Sequence, residues 1–301
     1  MIHQPVLPKE VMQALNPQQG EFFIDGTLGG GGHAEMILNA IGAAGKFLGV
    51  DLDQNALNEF EKKTQGRKTK IFLVQDNFAN IPGILASRGL GLADGLLLDL
   101  GLSSDEIENS GRGFTFSKNE PLLMTLSNSF VPVKTLLREL SEEELADIIF
   151  RLSDERFSRR IAKSIKETLR KKTIETTFDL REAVLRAVPA SYEGGRNRHG
   201  GARMDPATRT FQALRIYANH EFENIAAVLG NLENILKSGA RLAVITFHSG
   251  EDRIVKNALR DAAKTGMISL LNKKVIVPSE EETRANPRSR SAKLRAATLN
   301  P

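Results

Sequence analysis

The stretch from Phe22 to Met36, FFIDGTLGGGGHAEM, sets four consecutive glycines between a short apolar run and a helical pattern. Glycine loses more backbone entropy on folding than any other residue, so Gly29 to Gly32 indicate a turn that other residues cannot form, or one that a ligand approaches closely. Ligands of open α/β sheets bind beyond the carboxyl ends of the strands. The stretch therefore predicts a strand, a ligand-binding turn and a helix.

Further strand and helix signals alternate along the first hundred residues. Apolar runs at 21–25, 46–51, 70–74, 95–100 and 240–247 are typical of buried parallel strands, and the segments between the first four have helical spacing. This order predicts a doubly wound α/β sheet.

An insertion interrupts that sheet. About 135 residues separate the fourth and fifth strands, whereas a crossover needs only about a dozen or more. Ser141 and Glu144 form a capping-box pattern, which predicts a helix start within the insertion. We expect a discontinuous sheet domain from residues 1–104 and 206–301, and a helical substrate-recognition domain from residues 105–205, with Asp205-Pro206 opening a helix that returns to the sheet.

Composition narrows the classes of function. The chain has 301 residues and no cysteine, which excludes disulfides, thiolate zinc sites and a cysteine nucleophile. We expect no metal site, no signal peptide and no membrane-spanning segment, and therefore a cytoplasmic protein.

Basic residues cluster in two runs. Residues 156–172, RFSRRIAKSIKETLRKK, hold eight basic residues against one acidic, and the tail after Glu282 holds five basic residues and none that is acidic. Either run alone is typical of a solvated surface, but two runs beside a ligand-binding turn indicate a nucleic-acid partner.

Three ligands could account for the turn formed by Gly29 to Gly32, which we name the glycine turn. A P-loop is excluded because His33 and Ala34 follow the last glycine where Lys and Ser or Thr are required. A dinucleotide is compatible with Gly29, Gly31 and Ala34 as G-x-G-x-x-A, with Asp51 about 20 residues further on. S-adenosylmethionine shares the ribose contact but carries a sulfonium cation. The acids that end three strands, Asp25, Asp51 and Asp99, favour this cation, and Phe78 offers a ring for adenine.

The motifs together resemble one family. HQPVL, FIDGTLGGGGHA, GVDLD, LLLDLGLSS, RGFTF, RRIAKSI, DPATRTFQALRI, RLAVITFHSGEDRIVK and NPRSRSAKLRA are similar to bacterial small-subunit ribosomal RNA cytosine-N4 methyltransferases of the MraW/RsmH type. The similarity runs from His3 to Ala296. It implies a Rossmann-like S-adenosylmethionine-dependent methyltransferase sheet with an inserted helical domain, acting on N4 of one cytosine of 16S ribosomal RNA in the small subunit.

The resemblance also implies site residues. Cofactor contacts correspond to Gly31, Gly32, His33, Asp51, Phe78, Asp99 and Glu106, and Asp99 is also the candidate for orienting the target amine. Candidates for RNA binding, from the basic runs and the arginine-rich loop at 189–206, are Arg159, Arg160, Lys163, Arg196, Arg198, Arg288, Arg290 and Lys293.

Two departures from the family pattern leave alternatives open. The usual SSPQ is SSDE here, which places Asp105 and Glu106 near the cofactor, and Leu123 and Thr125 stand where an acid and an arginine are usual. The first alternative is a catalytically weakened ribosome-binding homologue. The second, allowed by the glycine pattern alone, is an NAD-dependent oxidoreductase.

Overall fold

The computed structural model describes residues 4–101, 110–189, 192 and 205–301. The chain divides into two compact units, one from residues 1–103 with 222–301 and the other from residues 104–221. The first unit holds the sheet and the second is helical.

Seven strands form the sheet of the first unit in the described ranges. They are β1 (Phe22–Asp25), β2 (Lys46–Asp51), β3 (Lys70–Gln75), β4 (Ala93–Asp99), β5 (Leu236–Thr246), β6 (Ile268–Leu270) and β7 (Lys293–Leu299).

Helices account for much of the remaining described chain. In chain order they are α1 (Pro8–Leu15), α2 (Gly32–Ile41), α3 (Gln54–Thr64), α4 (Ile81–Arg88), α5 (Val133–Glu139), α6 (Glu142–Ser153), α7 (Ser158–Leu169), α8 (Thr177–Ala187), α9 (Ala207–Ala218), α10 (Glu221–Leu229), α11 (Ser249–Lys264) and α12 (Glu280–Ala285).

The strand order is β3-β2-β1-β4-β5-β7-β6; the first five strands are parallel, and β7 is antiparallel to both of its neighbours, β5 and β6. Phe22 and Ile24 join the apolar core on one side of the sheet, and Phe23 joins the core on the other. Burial of both faces explains why the strands are apolar runs, and it confirms the predicted doubly wound α/β sheet.

The C-terminal segment is more ordered than its basic composition suggests. In β7, Leu294, Ala296 and Ala297 are buried, and the strand pairs with both β5 and β6. The sequence pattern did not predict β6 and β7. The tail that contains β7 was interpreted by its basic residues, although it also alternates apolar and polar residues as a strand does.

The second unit has its own apolar core, built mainly from α5–α9. The predicted capping box at α6 is present, with Ser141 Oγ accepting a hydrogen bond from Glu144 N–H and the Glu144 carboxylate accepting one from Ser141 N–H. A second box, of Thr176 and Asp179, begins α8. These caps satisfy N–H groups that a helix leaves without intrahelical partners.

Helix α9 belongs to the helical unit. Asp205 accepts a hydrogen bond from Ala207 N–H near its start, but Phe211 and Leu214 pack into the core of the second unit. The chain therefore enters the first unit at residue 222, whereas the sequence pattern placed this return at residue 206. A helix start can be read locally, but the core that a helix joins depends on distant residues.

The segment with the unusual Leu123 and Thr125 is folded within the second unit. Thr125 is buried. Arg112 donates from Nε to the Thr125 carbonyl and from Nη2 to Thr125 Oγ1, and from Nη1 to Asn128. Arg112 thus orders this segment.

Across the described residues, none of the helices combines the length and apolar character needed to cross a membrane.

Candidate active site

Three neighbouring strands end in aspartate. Asp25, Asp51 and Asp99 are the last residues of β1, β2 and β4, and β1 lies between the other two. All three strands are parallel, so the three carboxyl groups lie at the same edge of the sheet. The sequence placed an acid at each strand end, and the strand order makes them neighbours.

Asp51 organises the glycine turn. Its Oδ2 accepts a hydrogen bond from Gly29 N–H at 2.7 Å, and its Oδ1 accepts one from Asp53 N–H at 2.9 Å. One carboxylate therefore holds both the turn between β1 and α2 and the residue that caps α3. Each oxygen retains a second lone pair that can accept from a ligand hydroxyl.

The protein's own chain explains two of the glycines. A Cβ on Gly31 would lie 2.3 Å from Cδ2 of Phe60, and a Cβ on Gly32 would lie 3.0 Å from Cδ of Pro5. Gly31 also has φ +77°, which favours glycine.

Gly29 differs from these two. It has φ +48°, and among the described residues a Cβ there would meet only the Thr27 carbonyl oxygen, at 3.8 Å. The space beside Gly29 is where a ligand can approach the backbone.

Thr27 links the first and third acids, a role that the sequence did not predict. Its N–H donates to Asp25 Oδ1 at 3.1 Å, and its Oγ1 accepts from Asp99 N–H at 2.6 Å. His33, near the start of α2, places Nε2 3.7 Å from Asp99 Oδ2. The only sequence signal for Thr27 was its place between Asp25 and the glycines.

The acids share a low-dielectric environment. Burial raises the pKa of Asp25 to about 7, with the charge of Asp51 adding to the rise and the Thr27 N–H opposing it. Burial also raises the pKa of Asp99 to about 7, with the charge of Asp25 next in importance. The pKa of Asp51 is raised by burial, while N–H groups of Asp53 and Gly29 oppose the rise. This edge therefore favours a bound cation.

Phe78 lies at the same sheet edge. It opens a short 3-10 turn, Phe78–Asn80, just after β3, and its Cβ lies 3.2 Å from the position of a Cβ on Gly26. The ring is half-buried and also packs against the apolar core. Its position is compatible with a flat ligand group, although packing alone also accounts for an aromatic residue here.

The first unit thus brings together most of the predicted cofactor residues. Gly31 caps α2, and Gly32 and His33 are its first residues. Asp51 and Asp99 end β2 and β4, and Phe78 follows β3 at the same edge of the sheet. Glu106 lies outside the described residues.

The predicted RNA-binding residues occupy both units. Arg159, Arg160 and Lys163 are exposed on α7, and Lys163 lies 3.9 Å from Glu167. Arg288 and Arg290 are exposed in a 3-10 turn before β7. Lys293 pairs with Asp252 at 3.2 Å, so part of its charge is already neutralised. Arg196 and Arg198 lie outside the described part of the chain.

His248 has a structural role at the start of α11. With the buried Glu251 it forms the capping box of this helix, and Glu251 Oε2 accepts a hydrogen bond from Phe247 N–H at 2.8 Å. The next residue, Asp252, binds Arg295 and Lys293 of β7.

We expect Gly31→Ala to destabilise the protein more than Gly66→Ala does. Both glycines have φ near +80°, but a Cβ on Gly66 meets no described residue within 4 Å, so this variant isolates the backbone strain. Strain in the left-handed region is worth about 1–2 kcal/mol, and the contact with Phe60 should add about 1–3 kcal/mol of overpacking to Gly31→Ala. Equilibrium urea unfolding measures both, and equal losses of unfolding free energy would contradict the packing argument.

Known proteins show what this chain is similar to. The MraW methylase family matches residues 1–299. Ribosomal RNA small subunit methyltransferase H of Thermotoga neapolitana is 43% identical over 300 residues, covering 99% of this chain and 96% of that protein. The protein of the same name from Syntrophotalea carbinolica is 41% identical over 310 residues, covering 98% and 96%. With a match across nearly its whole length and relatives of this similarity, the chain belongs to the MraW methylase family.

Proposed function

We propose that this protein transfers the methyl group of S-adenosylmethionine to N4 of a cytosine in small-subunit ribosomal RNA. The observation that carries the proposal is the row of three carboxyl groups beside the glycine turn, in a chain 43% identical to a ribosomal RNA small subunit methyltransferase. Membership of a methylase family leaves no support for the oxidoreductase alternative.

The residues at the sheet edge fit this cofactor. Asp99 Oδ1 is buried and accepts no hydrogen bond from any other described residue. A buried acceptor of this kind needs a partner, which a cation or an amine supplies. Among the described residues, only the Thr27 carbonyl oxygen lies near a Cβ position on Gly29. Burial raises the pKa of Asp25 and of Asp99, so a cation bound beside them would stabilise their charged forms.

Each cofactor residue has a role in the proposal. Asp51 would hold the ribose hydroxyls, Phe78 the adenine, and the turn at Gly31, Gly32 and His33 the amino-acid group. When bound, S-adenosylmethionine supplies an electrophilic methyl group on a sulfonium centre.

Asp99 would act on the target base. The lone pair of an exocyclic amine is delocalised into the ring, so attack by that nitrogen develops positive charge on it. A carboxylate fixed nearby stabilises this charge and aligns the amine. The carboxylate can also accept the proton that the amine loses.

RNA would be held by basic residues of both units. Arg159, Arg160 and Lys163 on α7, Arg288 and Arg290 before β7, and Lys293 within it carry charge that suits phosphates. The predicted contacts at Arg196 and Arg198 belong to the same proposal. The target cytosine has to leave its stacked surroundings, because a stacked and paired N4 is not accessible.

The proposed activity can be measured directly. We expect small subunits that lack the modification to gain label from methyl-labelled S-adenosylmethionine at a single cytosine, located by nuclease mapping and mass spectrometry. Fully modified subunits are the control and should gain none. Binding to the subunits without incorporation would instead support the catalytically weakened homologue.

Variants of two acids should separate binding from chemistry. Asp51→Ala removes the acceptor for Gly29 N–H and should mainly raise the Kd for S-adenosylmethionine. Asp99→Asn keeps an oxygen acceptor but loses the charge, and should lower kcat by about 10²-fold, as removal of one transition-state interaction does. Calorimetry gives the Kd and single-turnover assays give the rate. Wild-type rates in both variants would contradict these roles.

Binding of the cofactor should strengthen as pH rises from 6 to 8. Below a pKa of about 7 Asp25 and Asp99 carry protons and are neutral, whereas above it their negative charge attracts the sulfonium. Binding therefore releases protons, and the Kd should fall by up to about tenfold per pH unit for each proton released. In Asp25→Asn the slope of log Kd against pH should be shallower than in the wild type. Because both proteins bind the same ligand, the ligand's own titration contributes equally to both slopes. Equal slopes would contradict the charge argument.

A further inference from the structure

An arginine cluster in the second unit is built on two aromatic rings. The guanidinium carbon of Arg156 lies 5.0 Å from the ring centroid of Phe157 and 5.1 Å from that of Tyr192. The guanidinium carbon of Arg160 lies 5.7 Å from the Phe157 centroid. We name Arg156, Phe157, Arg160 and Tyr192 the arginine platform.

The two rings of the platform are held in place by each other, by Glu155 and by the core. Phe157 and Tyr192 meet edge to face, with centroids 4.9 Å apart and an interplanar angle of 77°. Glu155 is fully buried beneath them; its Oε1 accepts from Phe157 N–H at 2.9 Å and its Oε2 accepts from Tyr192 OH at 3.1 Å. Both rings also pack against the core of the helical unit. The platform is therefore preorganised.

The N–H donors of the platform's guanidinium groups are not used by other described residues. Arg156 and Arg160 are exposed, and neither makes a hydrogen bond or an ion pair with another described residue. Other basic residues of the same unit are paired, such as Arg181 with Asp205 and Arg186 with Glu182. A cation–π contact orients a guanidinium without using its N–H groups, so the donors of Arg156 and Arg160 remain available to an external anion.

We propose that the arginine platform binds the phosphodiester backbone of the RNA substrate, an inference that rests on the proposed function. Guanidinium groups bind phosphate through two parallel N–H donors and are more weakly hydrated than ammonium groups. Arginines already lie over the aromatic rings, so the chemistry of the site favours phosphates over stacked bases. Preorganisation reduces the entropy lost when the side chains are ordered on binding.

Salt dependence of RNA binding tests the platform. The probe is a fluorescent RNA fragment of the small subunit, titrated with the full-length protein by anisotropy over a series of KCl concentrations. Arg156→Gln with Arg160→Gln should flatten the slope of log K against log salt by about 0.7 for each phosphate that the variant no longer binds, the value for single strands. The KM for RNA should rise, while the Kd for S-adenosylmethionine should not change.

A matched pair of variants controls for charge alone. Lys172→Gln with Arg186→Gln removes the same charge from the same unit, but both residues are paired with acids there, Lys172 with Asp179 and Glu182 and Arg186 with Glu182. This control should keep the wild-type slope. Arg156→Lys with Arg160→Lys should keep much of the slope yet bind more weakly, because an ammonium group lacks the planar pair of donors.

Equal slopes for the platform and control variants would overturn the inference, whatever the methylation assay shows. A different result is possible: the methylation assay adds no label to small-subunit RNA, while the salt slopes of the platform and control variants still differ. That result would overturn the proposed methyl transfer and leave the platform as an RNA contact.

Discussion

The hydrogen bonds that Asp51 accepts from Gly29 and Asp53 hold together the two strand-to-helix connections around the candidate site. The first bond fixes the turn that leads into α2 and so places His33 beside Asp99. The second sets the residue before α3, the helix whose Phe60 packs against Gly31. A single half-buried carboxylate thus determines the backbone shape that a cofactor would meet, and the neighbouring contacts depend on it.

The same arrangement carries an electrostatic cost in the free protein. Three acids at the ends of adjacent strands are desolvated together, and burial raises the pKa of each. A buried carboxylate is normally paired or neutralised, yet Thr27 provides only neutral groups to Asp25 and Asp99. A cationic ligand would relieve this repulsion, which explains how a feature that is unfavourable for folding can be retained for binding.

The helical unit uses a different physical strategy. Its charges are mostly on the surface, and its core is closed by capping boxes and apolar helix faces. Aromatic rings, and not acids, orient Arg156 and Arg160 near the start of α7. The first unit therefore buries negative charge at a sheet edge, while the second presents positive charge on a rigid support, as a cationic cofactor and an anionic RNA would require.

Local patterns in the sequence determined the five parallel strands, the acids at three of their ends, the glycine turn and the capping box at Ser141, because each depends on residues close together in the chain. Tertiary structure alone decided that Gly31 faces Phe60, that Gly32 faces Pro5 and that Thr27 joins Asp25 to Asp99. It also decided that β7 enters the sheet, that α9 joins the helical unit and that Glu251 completes the cap at His248. Periodicity and turn chemistry are local, whereas these contacts form between segments that only the packed core brings together.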